Sequence, residues 1–106
     1  MIVQSPNTRS EFKALIQENK NKTIVVKFYA NWCMPCKKIN SLVYELFEKI
    51  NNSKLMILVN IDEQSDISSF LKITQIPTIM TYKNGERDNA IVSSDEEELT
   101  TFFSKI

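Results

Sequence analysis

The two cysteines of this 106-residue chain lie three positions apart, in the stretch Asn31-Trp32-Cys33-Met34-Pro35-Cys36-Lys37. Thiols at this spacing can close a small disulfide, supply half of a metal site, or exchange electrons with the disulfide of a partner. A structural zinc site needs four ligands. The chain has no histidine and no further cysteine, so the other two would have to be carboxylates or come from a second subunit. No bound metal is expected. A stapling disulfide is the second competitor, but a loop of about four residues stabilises a fold by only about 2 kcal/mol. Exchange chemistry suits the spacing best. One thiolate attacks, and a second thiol nearly one helical turn further on can attack the mixed disulfide that results.

Such chemistry needs a scaffold that activates the first thiol. The apolar run Thr23–Tyr29 (TIVVKFY) reads as a strand buried on both faces, broken only by Lys27. It ends just before Cys33. Ile39, Leu42, Val43, Leu46, Phe47 and Ile50 then form an apolar stripe that predicts a helix over residues 34–51. Pro35 falls in its first turn, where proline costs no hydrogen bond. A cysteine at this strand-to-helix junction meets unpaired N–H groups and the positive end of the helix dipole, and both favour thiolate. The first thiol is expected to be exposed and the second to lie further in.

The remaining elements follow from similar patterns. Residues 1–4 suggest a short strand. Thr8 to Glu11 form a capping-box pattern opening a helix to about residue 20. Residues 55–61 form a second buried strand and 65–73 a short helix. Thr78–Lys83 and Glu86–Val92 flank Asn84-Gly85, the strongest hairpin signal in the chain. Ser94 and Glu97 are placed to cap a last helix that turns Leu99, Phe102, Phe103 and Ile106 inward. The order β-α-β-α-β-α-β-β-α predicts an α/β fold in one domain, residues 1–106. A central mixed sheet of about five strands is flanked by four helices.

Composition narrows the function. With 42% hydrophobic and 25% charged residues and a formal net charge of zero, the chain has the balance of an ordinary globular domain and no basic face for nucleic acid. Its apolar runs are too short to span a bilayer, and its first residues have no signal-peptide pattern. A cytoplasmic, reducing setting is expected, where paired cysteines serve redox or metal chemistry more often than stapling.

The chain resembles the thioredoxin family over nearly its whole length. The resemblance is carried by Val25-Val26-Lys27-Phe28-Tyr29-Ala30-Asn31-Trp32-Cys33-Met34-Pro35-Cys36-Lys37, Val59-Asn60-Ile61-Asp62, Ile76-Pro77-Thr78 and Lys83-Asn84-Gly85-Glu86. It implies the thioredoxin fold and a protein disulfide reductase that needs no bound cofactor beyond its redox-active Cys33–Cys36 disulfide. Cys33 would attack and Cys36 resolve, with a cis Ile76–Pro77 bond facing them. Trp32, Met34, Pro35, Ile76, Pro77, Thr78 and Ser93 would form the substrate surface. Disulfide-containing proteins and a reductase, of the NADPH-dependent thioredoxin reductase type, would be the partners of a monomer. A thioredoxin-like binding module or subunit, and a disulfide oxidant or isomerase, are the alternatives.

Four positions depart from the family pattern. Lys27 stands where thioredoxins usually carry a buried aspartate, with Leu58 at the place of its frequent lysine partner. Either Lys27 runs its stem along the strand and puts its head in water, or it acts as a cation near Cys36 that favours thiolate. Met34 replaces a glycine and adds a flexible apolar group. Ser41 replaces a kinking proline, which predicts a straighter helix. Ser93 replaces a glycine beside the groove and is expected to narrow it.

Overall fold

A computed structural model describes residues 3–106. Residues 1 and 2, part of the expected first strand, lie outside the described residues. The elements run β1 (Val3–Gln4), α1 (Arg9–Glu18), β2 (Thr23–Tyr29), α2 (Met34–Lys38), α3 (Asn40–Glu48), β3 (Lys54–Asn60), α4 (Ser65–Phe70), β4 (Thr78–Lys83), β5 (Glu86–Val92) and α5 (Glu96–Ser104). The five strands form one sheet in the order β1-β3-β2-β4-β5.

Strand direction assembles one functional edge. β2 runs parallel to β3, with Tyr29 beside Asn60, so their carboxyl ends finish together. β4 runs antiparallel to β2, pairing Thr78 with Phe28, so the start of β4 lies at that same edge. β5 turns back again and sets Val92 beside Thr78. Four segments distant in sequence thereby meet where Cys33 leaves β2.

Alternation along β2 feeds two cores. Ile24, Val26 and Phe28 pack with Phe12, Ile16 and Ile67 from α1 and α4. Val25 faces the other way, among Ile39, Val43, Phe47, Leu99 and Phe103 from the α2–α3 run and α5. The α1 start is as the capping pattern predicts, with the Thr8 hydroxyl accepting from the Glu11 N–H. The cap of α5 falls one residue later than expected. Asp95 accepts from the Glu98 N–H, and the Ser93 hydroxyl donates to the Glu98 carboxylate. Asp caps as well as Ser.

The expected long helix is interrupted. Ile39, at φ −96° and ψ 0°, separates α2 from α3, giving five helical segments where four were expected. The straighter helix inferred from Ser41 is therefore not observed. The interruption needs no proline. Asn40, a residue type that competes with helical hydrogen bonding, starts the new segment with its side chain accepting from the Lys27 ammonium.

Candidate active site

Cys33 is the N-cap of α2, in extended conformation at φ −85° and ψ 100°. Its sulfur accepts the Cys36 N–H at 3.2 Å. The two residues are joined as a disulfide, with Cα atoms 5.3 Å apart. Both are nearly inaccessible, Cys33 at 3% and Cys36 at 2%. The expectation of an exposed first thiol is corrected here: Ala30 and the partly buried Tyr29, Ile61 and Ile76 pack around the pair, and Cys33 is reached only as part of a cavity wall.

That cavity, of about 550 Å³, is lined by Trp32, Cys33, Met34, Pro35, Ile61, Thr74, Gln75, Ile76 and Val92. Trp32, Met34 and Val92 are 66%, 68% and 53% exposed and form an apolar rim. The Ile76–Pro77 peptide bond is cis, as the resemblance implied. The loop after β3 braces the rim. The Asn60 carboxamide oxygen accepts from the Asp62 and Glu63 N–H groups, and its NH₂ donates to the Asn31 side chain. The Trp32 indole N–H donates to Asp62 at 2.8 Å. Trp32 is thereby held in place although most of its ring faces solvent.

A redox-active pair at a helix start, beside a cis-proline loop on a five-stranded mixed sheet, is shared with known proteins. The family model for thioredoxin matches residues 3–105. The chain belongs to the thioredoxin family. It is 31% identical over 102 residues to thioredoxin-1 of Drosophila yakuba, with 96% of this chain and 95% of that relative covered. It is 31% identical over 104 residues to thioredoxin 1 of Plasmodium falciparum, covering 98% and 97%. The crystal structure of reduced Schistosoma mansoni thioredoxin pre-protein matches with a TM-score of 0.84 at 28% identity, covering 99% and 98%. Like its thioredoxin relatives, this chain is a thiol–disulfide oxidoreductase of the protein disulfide reductase type. Thioredoxins act on disulfide substrates and are reduced by thioredoxin reductase.

Against the thioredoxin pattern, the other expected site residues divide. Trp32, Met34, Pro35 and Ile76 share the cavity with Cys33. Thr78 is buried, with its hydroxyl donating to the Gln75 carbonyl. Ser93 does not narrow the groove, because its hydroxyl turns to Glu98 and accepts from the Asp95 N–H, and Val92 lines the cavity in its place. Lys27 does not put its head in water. It is 3% exposed, its ammonium donates to Asn40, and burial lowers its pKa from 10.5 to about 8. Val92, Ile61, Thr74, Gln75 and Asp62 were missed as site residues. Only Ile61 and Asp62, just past the carboxyl end of β3, were marked by position in the sequence. Among the described residues no group of three or more Cys, Asp or Glu could hold a metal ion, and no helix is long and apolar enough to cross a membrane.

Proposed function

We propose that Cys33 attacks a partner's disulfide and Cys36 resolves the mixed disulfide. One observation carries the assignment: the Cys36 N–H aimed at the Cys33 sulfur. That donor gives a charge-assisted hydrogen bond to a thiolate at Cys33, and the helix start adds its field. Cys33, and not Cys36, also lines the cavity, so a partner's sulfur meets it first.

The steps balance without a bound cofactor. The Cys33 thiolate attacks one partner sulfur, the partner S–S bond breaks, and the departing sulfur takes a proton. Cys36 then loses its proton and attacks the Cys33 sulfur. The Cys33–Cys36 disulfide forms, and the second partner thiol leaves. Two electrons pass to the partner, as in any thiol–disulfide exchange.

An extended partner segment would lie across Trp32, Met34, Pro35 and Ile76, adding to the Ile76 backbone by main-chain hydrogen bonds. Pro77 and Thr78 continue this loop from Ile76, and Ser93 follows Val92, which pairs with Thr78. A reductase of the NADPH-dependent thioredoxin reductase type would return the pair to the dithiol, completing a short electron-transport chain. The reading is of a single-domain monomer in the cytoplasm, acting on proteins and not on nucleic acid or membranes. Its support is the zero net charge and the confinement of both thiols to one motif.

Trapping tests the roles. Cys36→Ser should accumulate mixed disulfides with partner proteins, and Cys33→Ser should accumulate none. Equal trapping by both variants would overturn the assignment.

A further inference from the structure

Lys27 is the one charged side chain buried among the described residues, and neither exchange step uses it. It leaves β2 on the Val25 face, beneath the α2–α3 run. Its register neighbours on β3 and β4 are Leu58 and Ile79, both apolar. From α3, Asn40 accepts its hydrogen bond, and the Tyr44 ring centroid lies 5.7 Å from the ammonium. From β2 itself, the Tyr29 ring lies 5.7 Å away. It forms no ion pair: the single ion pair among the described residues joins Arg9 to Asp66, and burial alone lowers its pKa. The groups around this cation are thus an amide, two phenols and aliphatic chains. A buried charge without a counter-charge is expensive, so a negative charge appearing nearby would be favoured.

One place for one to appear is the cysteine pair, which shares Tyr29 with Lys27 as a neighbour. Asn40, which holds the ammonium, stands four residues after Cys36. We propose that Lys27, held by Asn40, is the buried counter-cation of the reduced cysteine pair and biases this chain toward its reduced form. Lys27 touches no reacting atom and acts through its field. Glutathione supplies the electrons in the defining equilibrium. Two glutathione thiols and the Cys33–Cys36 disulfide give glutathione disulfide, one thiol and one thiolate on this chain, and one proton to solvent. Only the product side carries the anion that Lys27 stabilises. By linkage the thiolate strengthens the lysine's hold on its proton by the same factor. With the amino group titrating near 8 in the disulfide form, the bias is present at neutral pH and fades in alkali.

This inference rests on the pair cycling between dithiol and disulfide, and the experiment separates the two. The intact chain, Lys27→Met and Asn40→Asp are each equilibrated with glutathione buffers at pH 7 and at pH 10. At pH 7 both variants should shift the equilibrium toward the disulfide by about tenfold, or about 30 mV for this two-electron couple. Lys27→Met removes the cation, and Asn40→Asp neutralises it without emptying the core, so the second decides if the first fails to fold. At pH 10 the Lys27→Met difference should fall within about twofold, a pH signature that loss of packing would not produce. Potentials equal to the parent's at pH 7, or a Lys27→Met shift undiminished at pH 10, would overturn the proposal. A parent pair that never equilibrates with glutathione would overturn the exchange reading itself.

Discussion

Cys33 lines an apolar cavity while its sulfur receives a backbone N–H, so access and activation meet in one residue. The rim around it follows from single residues. Val92 is 53% exposed and lines the cavity together with Trp32 and Met34. Val92→Asp would put a charge on the apolar rim proposed to receive a partner segment, without disturbing the core. It should lower kcat/KM for a protein disulfide by about tenfold, a barrier change of about 1.4 kcal/mol, and leave reaction with a small disulfide nearly unchanged. Equal losses on both substrates would assign Val92 a structural role. The cysteines were legible because their type and spacing carry the chemistry, and Trp32 and Pro77 were marked by the thioredoxin resemblance. Val92 was not, because an exposed valine at a strand end has no chemical mark. Its place is set by the hairpin register that pairs it with Thr78.

Two elements hold departures from ordinary backbone conformation or ordinary side-chain burial. The β4–β5 turn is as Asn84-Gly85 predicts, with φ of 56° and 80°. A side chain is strained at Gly85 in that left-handed region, and a Cβ there would also sit 3.1 Å from the flexible Lys20 side chain. Gly85→Ala should therefore destabilise the fold by about 1–2 kcal/mol in denaturant unfolding; an unchanged midpoint would show that the turn relaxes. β2 carries the other departure. Lys27 titrates at about 8 in the fold, against 10.5 for the ordinary side chain. Between about pH 8 and 10.5 the unfolded chain binds more protons, so stability rises with pH across that window. Below about 8 the fold bears the full cost of the buried charge, up to roughly 3 kcal/mol. Lys27→Met, in the disulfide form, should be more stable than the parent at pH 7, with the gap closing by pH 10.5. A pH-independent gap would place the cause in packing. Period-2 alternation placed Lys27 on the face opposite Val26 and Phe28. The depth of its cover depends on how Asn40 and Tyr44 come to lie over it, and the break at Ile39 that orients them has no proline or glycine to announce it.

At the scale of the molecule, the alternating order of strands and helices was enough to predict parallel neighbours and a closing hairpin. The order β1-β3-β2-β4-β5 was not read from the pattern, because buried strands of similar composition do not encode which neighbour each prefers. That order matters for function, since it brings the ends of β2, β3 and β5 and the start of β4 to one edge. The thioredoxin resemblance supplied the expectation that Pro77 faces the cysteines, and the sheet shows how: antiparallel β4 begins where parallel β2 ends. The whole arrangement is directed at moving two electrons from Cys33 and Cys36 to a protein partner. The most direct measurement is turnover of insulin disulfides with dithiothreitol as the electron source, comparing the parent chain, Cys33→Ser and no protein. The parent should accelerate insulin reduction by at least about tenfold over dithiothreitol alone, and Cys33→Ser should match the uncatalysed rate. A parent chain no faster than dithiothreitol, with its fold intact by circular dichroism, would contradict the account and leave a binding module with an idle disulfide.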